Sequence, residues 1–305
     1  MASINFLQYF SLLRYRAISK LLIKRKLTLI LDMEDSAQNL FSKQKTSELK
    51  LKCREGIVYL SQNSINLENC FLRINSIKSD YFNDDIKTLE VEKKNAFKIK
   101  AVFLPKTENF EEIEYIYKIL NFPVIPIIET YNGYKNLKKI LDKDKNLNYI
   151  YAIHYGHFDF CLDRKIWPFP EIFHSEFWDI VDPIIKLCNE YKKSFIQTPY
   201  PLVNNNNILW SMKERLENNL YNNSFISLVS MNSSLLKKPN LVNNLKIKKL
   251  SLDKNFQINF AKKITIDYLK NKQKNKSFSL TKKRFISPHQ FLMAEKFLKE
   301  NNEKN

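Results

Sequence analysis

Glycine is scarce in this chain. Three glycines, Gly56, Gly133 and Gly156, stand where average usage of about 7% would give roughly twenty in 305 residues. Glycines at these positions cannot form the G-x-G-x-x-G pattern of dinucleotide sites or the G-x-x-x-x-G-K-[ST] pattern of P-loops. The sequence therefore excludes both of these phosphate-binding classes.

Cysteine motifs and long apolar runs are missing as well. The four cysteines form no C-x-x-C pair and have no zinc-type spacing with the four histidines, so we expect buried free thiols. Free thiols are typical of a reducing compartment, which favours a cytoplasmic location. No run reaches the ~18 uncharged apolar residues of a membrane span, because basic residues interrupt the early apolar stretch. We therefore expect no transmembrane helix.

Acidic residues are outnumbered, mainly in one segment. The chain has 50 Lys and Arg against 32 Asp and Glu, a net charge of +18. Between Lys237 and Arg284 lie 15 basic residues and two acids, so this segment supplies 13 of the excess charges. Lysine greatly outnumbers arginine, and asparagine and isoleucine are abundant, a bias typical of compositional drift. We therefore do not expect nucleic acid as a partner; contact with a polyanion or an anionic membrane is the alternative.

Eight apolar or β-branched runs recur along the first 231 residues, separated by stretches with helical apolar spacing. Strands that alternate with helices favour parallel pairing through crossovers, and eight such units fit a closed barrel. We predict an eightfold β/α (TIM-type) barrel over residues 1–236, with an open doubly wound sheet as the alternative. The predicted strands are Asn5–Ser11, Leu27–Met33, Cys70–Asn75, Ile99–Leu104, Pro123–Glu129, Tyr149–Tyr155, Ser194–Thr198 and Ser224–Met231.

Residues 237–305 differ from the rest in composition. They are rich in Lys and Asn, and we expect a basic linker followed by a single further helix, Ser287–Glu300. The segment is predicted to be a C-terminal appendage to the barrel. Among the helices predicted within the barrel are Lys43–Val58, Phe110–Leu120 and Trp178–Tyr191.

Polar side chains follow five consecutive predicted strands, at the end where a β/α barrel carries its chemistry. They include Asp32 at the end of the second strand with Glu34 and Asp35 just beyond it, Arg73 in the third, Lys106 after the fourth, Glu129 in the fifth, and His157 and Asp159 after the sixth. Carboxylates on neighbouring strands repel each other unless a hard cation such as Mg²⁺ lies between them. An arginine nearby offers a planar fork for a carboxylate. This combination is suited to a small 2-oxo acid.

The motifs LILDMEDS, FLRINS, VFLPKTEN, PIIETYNGY and YGHFDFCLD occur in that order. They resemble the citrate lyase β-subunit-like members of the HpcH/HpaI aldolase family, from about Leu27 to Pro199. The resemblance implies that Glu129 and Asp159 bind Mg²⁺ and that Arg73 binds the substrate carboxylate and stabilises an enolate. It also implies that Asp35 faces the site, where pyruvate aldolases of the wider family carry a histidine base.

Three departures from the family pattern bear on the substrate. Phe158 replaces an acid that commonly precedes the aspartate ligand, and residues 227–232 lack the usual Lys and His. These two changes leave coenzyme A binding open. His157 would share a face with Asp159 if the sixth strand continued that far, which makes it a candidate substrate contact.

We expect a Mg²⁺-dependent carbon–carbon lyase or aldolase that acts on a small 2-oxo or 3-hydroxy acid, or on its CoA thioester, as a homo-oligomer. Hydrolysis of an acyl thioester at the same site is one alternative, and a degenerate, non-catalytic barrel with an accessory role is another. Each site residue also has a structural alternative. Glu129 and Asp159 could form ion pairs, Lys106 could be a solvated strand end, and His157 could pack in the core.

Overall fold

A computed structural model gives the fold of the chain. It describes residues 5–24, 28–39, 41–95, 97–198, 205–218, 226–230, 238–242, 245–271, 279–281 and 284–302. Among these residues, no helix combines the length and the apolar character needed to cross a bilayer.

The predicted barrel is confirmed. Eight strands follow one another in chain order in a closed barrel of the TIM type. Arg73 in the third strand lies beside Asp32 in the second and Phe103 in the fourth, in parallel register. The strands are β1 (Asn5–Ser11), β2 (Leu29–Asp32), β3 (Phe71–Arg73), β4 (Ala101–Leu104), β5 (Val124–Ile128), β6 (Ala152–Tyr155), β7 (Ser194–Gln197) and β8 (Ile226–Ser230).

Helices alternate with these strands, as the apolar spacing predicts. The helices are α1 (Tyr15–Lys24), α2 (Lys43–Gln62), α3 (Phe82–Lys94), α4 (Phe110–Leu120), α5 (Tyr131–Asp144), α6 (His157–Asp163), α7 (Ser175–Glu190), α8 (Asn206–Asn218), α9 (Lys254–Asn271) and α10 (Pro288–Asn302). A short antiparallel pair, β9 (Ser279–Leu280) and β10 (Phe285–Ile286), precedes α10.

Local signals explain why α4 has the bounds that the sequence predicts. Asn109 caps the helix by accepting a hydrogen bond from the Glu112 amide at 3.1 Å, and Glu112 accepts one in return from the Asn109 amide. The helix stops at Asn121, which adopts the left-handed conformation with φ 54°.

The chain divides into two compact units. The first unit comprises residues 6–128 and 132–154, and the second comprises residue 5, residues 129–131 and the described residues from 155 onward. In the first unit every residue of β2, β4 and β5 is buried, as expected for parallel strands covered on both faces. In the second unit aromatic side chains dominate the core; Tyr155, for example, packs edge-on against Phe177, with ring centroids 6.4 Å apart.

The prediction of a single helix beyond residue 231 is wrong. Helix α9 packs there, with Ala261, Ile264 and Tyr268 buried at helical spacing and the Tyr268 ring stacked on Phe291 of α10 at 4.1 Å. Its apolar residues lie on the exposed side as well as the buried one, as Phe256, Ile266 and Leu269 show, so the helical period is weak in the sequence. The predicted domain boundary at residue 236 lies outside the described residues and stays a prediction.

All four cysteines are free and buried, as predicted: Cys53, Cys70, Cys161 and Cys188. Burial raises the pKa of the Cys53 thiol to about 12 and that of Cys70 to about 11. These thiols therefore behave as small apolar groups in the core.

Candidate active site

Arg73 is held by acids of its own chain. Its Nε and Nη2 atoms donate to the two carboxylate oxygens of Asp32, at 2.6 and 2.7 Å. Its guanidinium also lies over the Tyr9 ring, 4.8 Å from the centroid. A bidentate pair of this kind fixes the orientation of the guanidinium plane. The fork that the sequence assigns to a substrate carboxylate is therefore occupied along one edge by Asp32.

The other two acids of the D-x-E-D motif meet Arg73 at its remaining nitrogen. Nη1 lies 3.1 Å from a carboxylate oxygen of Glu34 and 3.1 Å from one of Asp35. Burial opposes the charged form of Arg73, but Asp32 and Asp35 outweigh it and raise the pKa of Arg73 well above its ordinary value. The guanidinium is thus a permanent cation.

The side chains of Asp32, Glu34 and Asp35 differ in their exposure to solvent. The Asp35 side chain is 33% exposed, against 14% for Glu34 and 3% for Asp32. Asp32 also accepts hydrogen bonds from the amides of Glu34 and Ser36, which shape the turn after β2. Asp32 is therefore a structural anchor, and Asp35 is the member of the motif that solvent and small molecules reach most easily.

A buried lysine that the sequence analysis missed lies behind this turn. The Nζ atom of Lys50 in α2 donates to the carbonyl oxygens of Met33 and Glu34 at 2.8 and 2.6 Å, and to Oδ1 of Asn75 at 2.6 Å. Burial lowers the pKa of Lys50, although Glu34 and Asp32 favour its charged form. Lys50 shares the buried face of α2 with Cys53 at i+3, and a lysine on such a face is the signal that could have identified it.

Asn75 carries this network onward. Its amide nitrogens, Nδ2 and the backbone N, both donate to Oδ2 of Asp85, at 2.6 and 3.0 Å. Arg54 completes the chain by donating to Oδ1 of Asp85 at 3.2 Å. Burial raises the pKa of Asp85, against the hydrogen bonds from Asn75 and Arg54. The two polar residues of the R-I-N motif therefore differ in role. Arg73 binds the acids at residues 32–35, which we call the acidic turn, whereas Asn75 links β3 to α2 and α3.

Lys106 lies just beyond β4 in a strained backbone conformation. Its φ is 56°, a value that residues with a Cβ rarely adopt, and its side chain is half-buried. Strain of this kind persists where the surrounding structure enforces it, often at functional sites. Lys106 belongs to the same unit as Arg73 and Asp35, and its role in substrate binding stays a prediction.

The two predicted metal ligands belong to the second unit. Glu129 directly follows β5 and is 4% exposed. Asp159 lies in the first turn of α6, and its side chain is 16% exposed. The Nε2 atom of His289 lies 3.3 Å from Oδ1 of Asp159. His289 stands in the first turn of α10, and no motif in the sequence pointed to it.

Contacts between α6 and residues 129–131 bear on how these two carboxylates are arranged. The backbone amide of Tyr131 donates to Oδ2 of Asp163 at 2.8 Å, and the Arg164 guanidinium lies 4.0 Å from the centroid of the Tyr131 ring. Asp159 precedes Asp163 by four residues, so both lie on one face of α6. The face of α6 that carries Asp159 is therefore the face that contacts the segment containing Glu129.

His157 does not share a strand face with Asp159, because the sixth strand ends before either residue. Strand β6 ends at Tyr155, and both residues lie in α6, where residues two apart point about 200° away from each other. His157 is 5% exposed, and its Nδ1 lies 3.0 Å from the Tyr155 hydroxyl. Burial lowers the pKa of His157 to about 4, against a hydrogen bond with the Pro170 backbone. A substrate contact by His157 stays a prediction.

The donor set matches the coordination habits of Mg²⁺. Within the described ranges, no three His, Cys, Asp or Glu side chains come together as a ligand set. Mg²⁺ does not require one, because it is usually bound through one or two carboxylates and keeps several waters or substrate oxygens. Glu129 and Asp159 supply two such carboxylates, so the residues fit this ion.

The sequence matches no protein-family model and no curated protein. Its fold, however, matches solved structures. The citrate lyase β subunit of Mycobacterium tuberculosis with oxaloacetate and magnesium aligns with a TM-score of 0.55 at 14% identity, over 75% of this chain and 92% of that chain. CitE from the same organism with magnesium, acetoacetate and coenzyme A aligns over 99% of both chains, with a TM-score of 0.56 at 13% identity. RipC from Yersinia pestis covers 78% of this chain and 97% of its own, with a TM-score of 0.54 at 15% identity.

The chain has the fold of the citrate lyase β subunit. At 13–15% identity the likeness concerns the fold, and at that level it confirms the resemblance that the five motifs indicate. The function of the residues described above is a separate question, because one barrel fold supports many chemistries.

Proposed function

We propose that this protein is a Mg²⁺-dependent carbon–carbon lyase or aldolase that acts on a small 2-oxo or 3-hydroxy acid or on its CoA thioester. The observation that carries the proposal is the position of Glu129 and Asp159. They follow consecutive barrel strands, and the face of α6 that bears Asp159 contacts the segment of Glu129. The ends of barrel strands are where enzymes of this architecture place their catalytic groups.

In this proposal Glu129 and Asp159 hold the metal ion. Mg²⁺, when bound, supplies a Lewis acid for a substrate oxygen. Glu129 would hold the ion through a nearly buried carboxylate, and Asp159 would do so through a carboxylate that His289 contacts at 3.3 Å. Solved structures with this fold carry magnesium together with oxaloacetate, pyruvate, acetoacetate or coenzyme A, which supports a small acid or its thioester as the substrate class here.

Arg73 and Asp35 are the proposed catalytic pair. The guanidinium is locked in one orientation by Asp32, so its charge is preorganised for a carboxylate or an enolate oxygen. Asp35 contacts Arg73 at 3.1 Å and is the most exposed acid of its motif, which suits a group that exchanges protons with a substrate. We assign substrate binding to Lys106 and His157 as well, and we expect a cytoplasmic homo-oligomer.

The contact between His289 and Asp159 favours a second candidate function. An imidazole that occupies the aspartate is also what a degenerate, non-catalytic barrel would contain. Thioester hydrolysis at the same residues is a third candidate. Release of free thiol without an aldehyde or 2-oxo acid would identify hydrolysis, and absence of Mg²⁺ binding would identify the degenerate barrel.

Removal of either proposed ligand tests the metal assignment. Glu129→Gln and Asp159→Asn keep the size of the side chain but remove its charge, and we expect each to weaken Mg²⁺ binding at least tenfold in isothermal titration calorimetry, on the order of 1.4 kcal/mol or more. The matched control is Asp142→Asn, which changes an exposed carboxylate of α5 that pairs with Lys138. If both test variants bound Mg²⁺ with wild-type affinity, the assignment of Glu129 and Asp159 as metal ligands would be wrong.

A further inference from the structure

The basic segment of the chain, residues 237–284, has no part in the proposed function, and α9 is its longest described element. One side of α9 packs on α10: Ala261, Ile264 and Tyr268 are buried, and the Tyr268 ring stacks on Phe291. The opposite side of the helix faces solvent. Because packing on α10 already holds the helix in place, a partner can bind the exposed side without any folding step.

The exposed side of α9 combines lysines with aliphatic side chains. Ile266 and Leu269 are 49% and 56% exposed. Lys262 and Lys270 are also exposed and lie one turn before and one turn after Ile266, and the exposed Lys263 lies three residues before it. These spacings place all five residues on one side of the helix. We call them the basic apolar face of α9.

The charge on this face has one sign. The basic segment contains two acids, Asp253 and Asp267. Asp253 precedes α9 and accepts a hydrogen bond from the Phe256 amide at 2.7 Å, which caps the helix. Asp267 is half-buried and follows Ile266 by one residue, which turns it about 100° around the helix. The face therefore carries three lysines and no acid, and residues 272–276 of the sequence add three more lysines.

The chemistry of the basic apolar face distinguishes among the partners that could cover it. A second copy paired through the same face would bring lysines against lysines, and like charges oppose such pairing. A nucleic acid would bind the lysines but would offer its phosphates to Ile266 and Leu269, which gain nothing from them. An anionic lipid surface matches both groups, because aliphatic side chains enter the acyl boundary while lysine stems extend their ammonium groups to the headgroups.

We propose that the basic apolar face of α9 docks the protein on an anionic lipid surface. The helix lies along the surface, with Ile266 and Leu269 at the boundary between headgroups and acyl chains and the three lysines beside the lipid phosphates or carboxylates. Each lysine near such a surface strengthens binding about fivefold, and burial of the aliphatic side chains adds to this. The docking uses neither Glu129 nor Asp159, so it does not rest on the proposed lyase function.

Co-sedimentation of the full-length protein with vesicles tests the docking. One set of vesicles is pure phosphatidylcholine, and the other contains about 30% phosphatidylserine, which supplies the anionic surface. We expect the wild type to bind the phosphatidylserine vesicles at least ~tenfold more tightly than the neutral ones, and to lose this preference as salt screens the lysines. Equal binding to the two sets of vesicles would overturn the proposal.

Two double variants separate the charged and the apolar contributions. Lys262→Gln with Lys270→Gln removes two charges, and Ile266→Gln with Leu269→Gln removes the aliphatic pair. Each should bind the phosphatidylserine vesicles at least ~tenfold more weakly than the wild type, because each removes one of the two kinds of contact. Wild-type binding by either variant would contradict the assignment.

The matched control changes the same residue types on another helix. Leu51 is 54% exposed on α2 beside the exposed Lys52, and Leu51→Gln with Lys52→Gln should bind vesicles as the wild type does. All substituted positions are exposed and glutamine is a good helix former, so every variant should unfold at the wild-type temperature. Weakened binding by the α2 control, or early unfolding of both α9 variants, would count against a docking role for the face.

The other two partners have their own readouts. Sedimentation velocity reports whether the aliphatic double variant changes the size of the oligomer, and a smaller oligomer would assign the face to contact between copies. Binding of the wild type to a DNA duplex without binding to phosphatidylserine vesicles would assign it to nucleic acid. Either result would overturn the lipid assignment.

Discussion

Replacement of Lys50 by methionine tests the buried network directly and does not depend on any assumed activity. The change removes the ammonium group that donates to the carbonyls of Met33 and Glu34 and to Oδ1 of Asn75. Each buried acceptor left without a donor costs about 1–3 kcal/mol. The change also relieves the cost of burying a charged group, which acts in the opposite direction and stabilises the variant. This cost is evident in the lowered pKa of Lys50.

The balance of these effects is a loss of about 3 kcal/mol in the free energy of unfolding, at the lower end of the range for breaking a buried charged pair. Urea denaturation measures it as a shift of the midpoint at constant slope. The control is Lys52→Met, which alters an exposed lysine on the same helix and should stay within about 0.5 kcal/mol of the wild type. If Lys50→Met were as stable as this control, the hydrogen bonds of Lys50 would not be stabilising the contact between the turn after β2 and Asn75, which follows β3.

Two further predictions concern stability alone. Burial raises the pKa of Tyr268 to about 12, so between pH 10 and 12 the unfolded state loses this proton first and stability falls as pH rises. Urea denaturation at pH 10 and at pH 12 measures this fall in the free energy of unfolding. The fall should be about 2 kcal/mol smaller in Tyr268→Phe than in the wild type, and an equal fall in both proteins would contradict the prediction. Asn109→Ala removes the cap of α4 and should lower the unfolding free energy by about 1 kcal/mol; no change would mean that the capping box does not stabilise the helix.

Much of the fold could be predicted from the sequence, because the signals were local. The bounds of β1 and α4 agree with the prediction, since the apolar runs and the Asn109 cap mark their ends. The third and sixth strands are shorter than predicted; the sixth begins at Ala152, although apolar residues start at Tyr149. Helix α9 was missed because its apolar residues are spread over its buried and exposed faces, so packing rather than sequence periodicity defines it.

The candidate site was only partly readable. The order of strands along the chain was enough to predict which polar residues lie at strand ends. Two of these residues, Asp35 and Arg73, are indeed in contact at 3.1 Å. Sequence patterns could not show that Asp32 occupies the edge of Arg73 or that Lys50 lies behind the turn, because both contacts join residues distant in the chain.

The most direct test of the central claim is a crystal structure soaked with Mn²⁺ as an anomalous substitute for Mg²⁺. We expect one strong anomalous peak about 2.0–2.2 Å from carboxylate oxygens of both Glu129 and Asp159, with further oxygens from water or added acid completing the coordination. A peak bound elsewhere, or carboxylates that stay apart with no ion between them at saturating Mn²⁺, would contradict it.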